Sequence, residues 1–240
     1  MPSVAAIIIG DEILSGKFAD ENGPFLIRRL RDLGADLRHL AIISDEVGHI
    51  AHAVRHAADT FDRVITTGGV GPTHDDRTFE GIAAAFGVEL EQREELVELI
   101  RRYGLPETEA SLQMARVPVG AELLWGEGAS FPVVCVGQVH VFPGVPKLLQ
   151  AKFSDVAHRF AGERVRTVRL YTTQRETEIA ALLGMVATEE AAVAIGSYPR
   201  FGEGNYRVIV TLESRDPEAL ERARQRLADG LDTVTPVLLR

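Results

Sequence analysis

Acidic residues follow glycine or serine at three points in the chain, each directly after a short apolar run. The three groups are Gly10-Asp11-Glu12, Ser44-Asp45-Glu46 and the longer segment from Gly68 to Asp76. Carboxylates that are crowded together repel one another unless a proton or a cation intervenes. Oxygen-rich groups suit Mg²⁺ or a similar hard cation, which also takes ligands from a phosphorylated substrate. The alternative is that these acids are only helix caps or loop residues.

The third group carries the strongest signal for anion binding. Gly68, Gly69 and Gly71 let the backbone turn sharply and approach a ligand without an intervening Cβ. Their N–H groups can face an anion, and a helix that starts near Thr78 adds its positive end. The segment is not a Walker A loop, and His74 stands where a G-x-G-x-x-G motif needs its third glycine. The alternative is a glycine-rich turn between a strand and a helix.

A second segment, Pro143-Gly144-Val145-Pro146-Lys147, opens another predicted helix. Gly144 and Lys147 are either part of a capped helix entry or a second anion contact through backbone N–H and the Lys147 ammonium.

Other reactive side chains give weaker signals. His49, His52 and His56 share one helix face opposite its apolar residues, which favours a solvated face over a metal site. Ser15 and Ser44 have no evident base partner, so a Ser-His-Asp hydrolase is not expected. Cys135, the only cysteine, lies in the apolar run FPVVCV and is predicted to be a buried, inert thiol.

Alternating strands and helices are predicted to hold the three acidic groups together. Val4–Ile9 is a continuous apolar run typical of a buried strand, Leu37–Ile43 and Val64–Thr67 are predicted as a second and a third strand, and helical patterns follow the first two. This order indicates βαβ units and a parallel sheet, in which ligands bind outside the carboxyl ends of the strands. The fold class predicted is therefore α/β, a three-layer α/β/α domain with a mainly parallel sheet.

The pattern changes after Ala161-Gly162, where a β-α-β-β-α order begins. We predict two domains, an α/β domain over residues 1–162 and a small α+β domain over residues 163–240.

Composition excludes several classes of protein. The chain of 240 residues has 35 acidic against 26 basic residues and a net charge of −9, which disfavours nucleic-acid binding. The apolar N-terminus lacks the basic flank of a signal peptide, and no apolar stretch is long enough to span a membrane, so a cytoplasmic protein is expected. Since only Lys17, Lys147 and Lys152 are lysines, a phosphate ligand would depend on backbone N–H groups, arginine and metal.

Several of these motifs together resemble a known family. The motifs are Gly10-Asp11-Glu12-Ile13-Leu14, Asn22, the string from Thr67 to Thr78, and Phe142-Pro143-Gly144-Val145-Pro146. They are similar to the molybdopterin-binding (MoCF, MoaB/MogA-like) domain. The nearest likeness is to the N-terminal half of competence-damage-inducible CinA proteins and to the molybdopterin-binding-like domain of eukaryotic FAD synthases. Gly196-Ser197-Tyr198-Pro199 extends the resemblance into the small domain.

The resemblance implies a pocket for a phosphorylated pterin or nucleotide, with molybdopterin as one possible ligand. It implies that Asp11, Asp45 and Asp76 are candidates for binding a divalent metal, Mg²⁺ or Co²⁺, or for positioning water, with Asp45 and Asp76 as the catalytic pair. The residues expected to contact substrate are Gly10, Gly68, Gly69, Gly71, Pro72, Thr73, Asp75, Gly144 and Lys147. A homodimer is expected only because it is the commonest oligomer.

Three functions stay open from the sequence. The first, implied by CinA and FAD-synthase relatives, is a metal-dependent pyrophosphatase acting on a dinucleotide such as ADP-ribose or FAD. The second is a binding module that holds a pterin or nucleotide without chemistry. The third is molybdopterin adenylylation in molybdenum cofactor biosynthesis, which is disfavoured because Asp75 stands where adenylyltransferases tend to have arginine.

Overall fold

A computed structural model of the protein describes residues 2–126, 131–201 and 204–236. The chain divides into two compact units, Met1–Gly162 and Glu163–Arg240. Within the described residues, no helix combines the length and the apolar character that crossing a membrane requires.

The first unit alternates strands with helices through its first half. Its strands are β1 (Ser3–Ile9), β2 (Asp36–Ile43), β3 (Arg63–Thr67), β4 (Leu90–Gln92), β5 (Arg116–Pro118), β6 (Glu122–Leu124), β7 (Val133–Val136) and β8 (Val139–Phe142). Its helices are α1 (Asp11–Leu14), α2 (Asn22–Asp32), α3 (Val47–Thr60), α4 (Thr78–Phe86), α5 (Glu94–Arg102), α6 (Glu109–Gln113) and α7 (Pro146–Val156), and a 3-10 turn follows over Ala157–Phe160.

The main sheet has six strands in the order β2-β1-β3-β8-β7-β6. The β2-β1, β1-β3 and β3-β8 pairs are parallel, whereas β7 pairs antiparallel with both of its neighbours. The predicted mainly parallel α/β sheet is confirmed, and β7 and β8 form an antiparallel hairpin at its side. Because β1, β2, β3 and β8 run in one direction, their carboxyl ends lie at one edge.

Alternate residues of β1 pack into two different cores. Ala5, Ile7 and Ile9 join the core formed with α3, α4 and α5. Val4 and Ala6 join the opposite core, which contains residues of α2 and α7. Successive side chains of a strand point to opposite faces, so helices cover both faces of the sheet. This is the three-layer α/β/α arrangement.

Three short strands, β4, β5 and β6, were not predicted from the sequence. The β4 and β5 strands pair antiparallel as a separate two-stranded sheet, and β6 adds an edge strand to the main sheet. Asp45 is not a helix cap, the alternative considered for the acidic groups, because Glu46 is the capping residue of α3 and provides no side-chain hydrogen bond.

The second unit follows the predicted β-α-β-β-α order. Its elements are β9 (Arg166–Thr172), α8 (Glu176–Glu189), β10 (Ala194–Pro199), β11 (Val208–Ser214) and α9 (Pro217–Gly230). The strands form an antiparallel sheet in the order β10-β11-β9. The two helices and the sheet share one apolar core, which includes Ile179, Val210 and Leu227. Residues 202 and 203, between β10 and β11 in the sequence, lie outside the described residues.

A buried histidine is expected to make the stability of the first unit depend on pH. His140 on β8 is 1% exposed, and its ring lies 4.9 Å from that of Phe160. Its Nδ1 lies 3.1 Å from the Gln138 carbonyl oxygen, which can only accept a hydrogen bond, so Nδ1 carries the proton of the neutral ring. Burial lowers the pKa of this imidazole to about 4 from an ordinary 6.5.

The unfolded chain therefore takes up this proton near pH 6.5, whereas the folded chain does so only near pH 4. The free energy of unfolding is unaffected above pH 7 and is expected to fall by about 2 kcal/mol on going from pH 7 to pH 5. Urea unfolding of the wild type and of His140→Phe at both pH values measures this contribution, and the variant should lose less stability. An equal loss in the two proteins would contradict the assignment.

Candidate functional site

The carboxyl ends of β1, β2, β3 and β8 bring the predicted segments to one rim. Ile9 pairs with Ile43, and Ile8 pairs with Thr67. Thr67 in turn pairs with Phe142. The residues that follow these strand ends are Gly10, Ser44, Gly68 and Pro143, so segments far apart in sequence become neighbours at the rim.

The glycines at this rim are required by close backbone packing. Gly68 has φ +107°, and a Cβ at this position would collide with the Ile9 carbonyl oxygen. Gly69 has φ +63°, and its Cβ would lie 2.5 Å from Thr78 Oγ1. A Cβ on Gly144 would lie 3.2 Å from the Gly68 Cα, so the two loops touch through their main chains. Side chains at these positions would push the loops apart.

One of the backbone N–H groups predicted to bind an anion already donates a hydrogen bond within the protein. The Gly68 N–H donates to the Phe142 carbonyl at 3.2 Å, which corrects the expectation that it faces an anion. Thr78 closes the loop, since its N–H donates to the Gly69 carbonyl and its hydroxyl donates to the Gly68 carbonyl. Within the described parts of the chain, no acceptor is bonded to the N–H groups of residues 69–71, so these are the donors that remain for a ligand.

Asp76 shapes the second half of the loop. Its Oδ2 accepts hydrogen bonds from the Thr73 N–H at 2.8 Å and from the Thr73 hydroxyl at 2.5 Å. The Asp76 carbonyl accepts from the Gln113 amide at 3.1 Å. A Cβ on Gly71 would lie 2.7 Å from the Asp76 carboxylate, so the carboxylate lies directly beside the glycine turn.

Asp45 lies at the centre of the acidic group. Its Oδ2 accepts a hydrogen bond from the Asp11 N–H at 2.8 Å, so it joins the ends of β1 and β2. Burial raises the pKa of Asp45, the Asp11 N–H bond opposes this shift, and the charges of Asp11, Glu12 and Asp75 add to it. The acids of all three segments therefore do act on one another.

The acids do not form a preassembled metal site. Across residues 2–126, 131–201 and 204–236, no three His, Cys, Asp or Glu side chains are grouped so that they could hold a metal ion. Asp11, Asp45 and Asp76 thus do not form a three-ligand cage. Mg²⁺ is commonly bound by one or two carboxylates with the rest of its ligands from water and substrate phosphates. The donor chemistry fits a cation of this kind only with the substrate present.

A cavity of about 500 Å³ opens beside the glycine loop, and we call it the larger cavity. Its polar rim contains Gly68, Gly69, Gly71, Gly144, Asp76 and Glu12. Its walls are mostly apolar and include Phe79, Leu96, Met114, Phe131, Val134 and Leu148. Its volume lies in the range of small-molecule sites, and its walls suit a flat ring system.

The lysine at this cavity is Lys152 rather than Lys147. Lys147 is exposed and does not line the larger cavity, whereas Lys152 does, five residues further along α7. The Lys152 ammonium donates to the carbonyls of Phe131 and Pro132. Burial lowers the pKa of Lys152 to about 8, so the group remains mainly protonated at neutral pH.

A second cavity, of about 320 Å³, lies on the other side of Gly144, and we call it the smaller cavity. Glu12, Gly144 and Val145 line both cavities. Asn22 lines the smaller one and ties three segments together, because its Nδ2 donates to Thr67 Oγ1 at 3.0 Å and to the Gly144 carbonyl at 2.7 Å.

One side-chain pair contradicts the expectation that Ser44 lacks a base partner. Ser44 Oγ lies 2.6 Å from His49 Nδ1. Glu46 Oε2 lies 3.9 Å from the same nitrogen, so the acid does not face the opposite ring nitrogen as it does in a catalytic triad. The pair lines neither of the two cavities. His52 and His56 are exposed, as predicted.

The residues predicted to bind substrate or metal, or to act in catalysis, divide into two groups. Gly68, Gly69, Gly71, Asp76 and Gly144 line the larger cavity. The others line neither cavity, and they are Gly10, Asp11, Asp45, Pro72, Thr73, Asp75 and Lys147. Sequence reasoning did not select Glu12, Asn22 or Lys152 as site residues. Cys135 is 2% exposed, and burial raises the pKa of its thiol to about 11, which confirms an inert cysteine.

Comparisons with known proteins cover both units. Residues 5–162 match the family described as "Probable molybdopterin binding domain", and residues 164–237 match one described as "FAD synthase, middle domain". A "Probable FAD synthase" from Caenorhabditis briggsae is 33% identical over 95% of this chain and 49% of its own length. A "CinA-like protein" from Anaeromyxobacter dehalogenans is 38% identical over 60% of this chain and 37% of its own length.

A solved structure has the same fold over the first unit. The CinA protein of unknown function from Thermoplasma acidophilum is 30% identical, with a TM-score of 0.61 over 67% of this chain and 99% of its own. This chain spans about half the length, or less, of the curated relatives named above. With the glycine loop, the acidic rim and the match over residues 5–162 in agreement, the chain belongs to the molybdopterin-binding domain family, with CinA-like and FAD-synthase-like relatives.

Proposed function

We propose that the protein is a metal-dependent pyrophosphatase that cleaves a dinucleotide-type substrate such as ADP-ribose or FAD. The observation that carries this proposal is the larger cavity, where an apolar pocket opens directly onto a glycine turn with unbonded N–H groups and onto the Asp76 carboxylate. A dinucleotide has the matching parts, a flat ring beside a charged pyrophosphate.

Different residues of the chain would bind the ring and the phosphates of the substrate. Apolar walls such as Phe79, Met114 and Phe131 would cover the ring and exclude water from it. The N–H groups of residues 69–71 would donate to phosphoryl oxygens, where negative charge grows during cleavage. Lys152 would supply a positive charge at the apolar end of the cavity.

The acidic rim argues for a cation in the complex. Glu12 and Asp76 line the larger cavity, and Asp11 and Asp45 lie behind them around the Asp11 N–H. These carboxylates would repel a pyrophosphate unless a cation joined them. Glu12 or Asp76 would hold the cation, with Asp45 keeping the acidic segments in place. A bound divalent cation neutralises phosphate charge and lowers the pKa of a bound water.

Hydrolysis of the pyrophosphate forms one P–O bond and breaks one P–O bond. A water oxygen forms a bond to one phosphorus of the pyrophosphate, and the bridging P–O bond breaks. The products are AMP and the phosphomonoester of the other half of the substrate, and the protons lost by water pass to solvent. The name of one relative, "Probable FAD synthase", agrees with a nucleotide substrate, since FAD is itself a dinucleotide. We do not propose FAD synthesis for this chain, which covers 49% of that longer protein.

The proposal is tested by incubating the pure protein with ADP-ribose, FAD or NAD in the presence of Mg²⁺ or Co²⁺, with EDTA as the metal-free control. We expect AMP from at least one substrate and none with EDTA. If no substrate gives AMP, the pyrophosphatase is excluded. Tight binding without turnover, unaffected by metal, would then identify a non-catalytic pterin or nucleotide module. Consumption of ATP only when molybdopterin is present would identify an adenylyltransferase.

A further inference from the structure

Lys152 is the only amine among the described residues that line the larger cavity. Leu148, which also lines it, precedes Lys152 by four positions on α7, so the two side chains share one face of that helix. The centroid of the Phe131 ring lies 5.8 Å from the Lys152 nitrogen. An amine beside apolar side chains is poorly hydrated, which favours its neutral and nucleophilic form.

The hydrogen bonds of Lys152 leave one position on its nitrogen open. Nζ donates to the Phe131 carbonyl and, at 3.3 Å, to the Pro132 carbonyl. A neutral amine has two N–H groups and one lone pair, and these two carbonyls accept from both N–H groups. The lone pair then takes the remaining tetrahedral position, on the side away from the two carbonyls. The main chain of residues 131 and 132 therefore orients this nitrogen as a nucleophile.

The neutral form of Lys152 is accessible near neutral pH. Burial lowers the pKa of Lys152 to about 8 from an ordinary 10.5, and the charge of Asp155 opposes this shift. About one Lys152 side chain in ten is then neutral at pH 7, against about one in 3,000 for an ordinary lysine. The other two lysines, Lys17 and Lys147, are exposed and do not line the larger cavity. Desolvated lysines form Schiff bases with carbonyl compounds.

We propose that Lys152 forms a Schiff base with a phosphorylated aldehyde that binds in the larger cavity. The phosphate would accept hydrogen bonds from the N–H groups of residues 69–71, and the aldehyde would reach the amine, since the glycine turn and Lys152 line the same space. An aromatic ring between the two groups would pack against the apolar walls. This inference rests on the proposed function in one respect, the binding of phosphate at the glycine turn, and needs neither a metal nor cleavage of the ligand.

The reaction is a condensation without oxidation or reduction. The lone pair of the Lys152 nitrogen forms a bond to the aldehyde carbon, and the carbonyl oxygen leaves as water with the two protons of the amine. The product is a C=N bond. When the imine is protonated it keeps one N–H, which the carbonyl of Phe131 or Pro132 can still accept.

Pyridoxal phosphate is the probe for this site, because it carries an aldehyde, an aromatic ring and a phosphate. The chain has only the lysines at 17, 147 and 152, so borohydride reduction of the imine and peptide mass spectrometry locate every labelled lysine. In EDTA at pH 7, label is expected to enter Lys152 at least about tenfold faster than Lys17 or Lys147. Equal rates at the three lysines would overturn the proposal.

Two comparisons test the role of the phosphate. With pyridoxal, which lacks the phosphate, the preference for Lys152 over Lys147 should fall at least about fivefold. An excess of ADP should protect Lys152 and leave the slow labelling of Lys147 unchanged. An unchanged preference with pyridoxal, or no protection by ADP, would show that the phosphorylated class of aldehyde is wrong.

A pair of variants tests whether the reaction takes place inside the cavity. Leu148 is 51% exposed and shares the helix face of Lys152, so Leu148→Trp should cover the amine and slow its labelling at least about tenfold. Leu14→Trp is the matched control, since Leu14 is 53% exposed and lines neither cavity. It should leave the labelling rate unchanged. Equal labelling of Lys152 in the two variants would contradict a site within the cavity.

AMP release from ADP-ribose with metal, measured on the same preparation, separates this inference from the proposed function. AMP release without preferential labelling of Lys152 would overturn the Schiff-base site and leave the pyrophosphatase standing. Preferential, ADP-sensitive labelling without AMP release would support the Schiff-base site and exclude the pyrophosphatase.

Discussion

Replacing Gly68 by alanine is expected to destabilise the protein by about 3 kcal/mol or more and to abolish ligand binding. The residue has φ +107°, which alanine adopts only with strain, and its new Cβ would collide with the Ile9 carbonyl oxygen. The Cβ is attached rigidly to the main chain of one packed strand end and the carbonyl oxygen belongs to the main chain of the other, so neither can move aside. The loop must therefore shift, and the N–H groups of residues 69–71 shift with it.

Gly16→Ala is the matched control for this effect. Gly16 also has a left-handed backbone, with φ +72°, but a Cβ there meets nothing within 4 Å. It is expected to cost about 1 kcal/mol, from backbone strain alone. Urea unfolding of the two variants measures the difference. Equal destabilisation would show that the contact between the loop and β1 is not needed for stability.

Replacing Asp76 by asparagine is expected to lower kcat for pyrophosphate cleavage by about 100-fold or more, with stability changed by less than about 1 kcal/mol. The amide oxygen of asparagine can still accept the hydrogen bonds from the Thr73 N–H and hydroxyl, so the turn keeps its shape. The negative charge at the wall of the larger cavity is lost, and with it the attraction for a divalent cation.

Asp62→Asn separates the loss of charge from the loss of a turn contact. Asp62 accepts the N–H of Ser3 at 2.7 Å and its hydroxyl at 2.8 Å, as Asp76 does with Thr73, but it lines neither cavity. This variant should keep full activity. Steady-state kinetics over a range of Mg²⁺ concentrations checks both variants, and an Asp76→Asn enzyme as fast as Asp62→Asn would remove Asp76 from the chemistry.

Local sequence signals were sufficient for the order of the longer strands and helices and for the position of the glycine turn. The apolar runs that become β1 and β3 are buried throughout, so a continuous hydrophobic pattern identifies them. The predicted run from Gly68 to Asp76 forms the expected sharp turn, but its glycines were expected to allow the approach of a ligand, whereas Gly68 is required by the close approach of main chains. In this case the close neighbour is the protein's own Ile9 carbonyl, which no local pattern specifies.

The residues that sequence reasoning missed depend on strand order and helix phase. Glu12 and Gly144 line the same cavities because β3 lies between β1 and β8, and that order is set by packing of the whole sheet. Lys152 replaces Lys147 at the cavity because α7 begins at Pro146, which leaves position 147 in an exposed first turn. Asn22 was recognised only as one of the motifs of the family resemblance, and its bonds to Thr67 and Gly144 exist only in the folded rim.

The most direct test of the proposed function is cleavage of ADP-ribose or FAD in water enriched in oxygen-18, with Mg²⁺ or Co²⁺, followed by mass spectrometry of the products. Hydrolysis of the pyrophosphate predicts one solvent oxygen in the phosphate of either AMP or the second phosphomonoester, and no labelled product from Asp76→Asn in the same time. Unlabelled phosphates, or no cleavage of either substrate, would contradict a pyrophosphatase at this site.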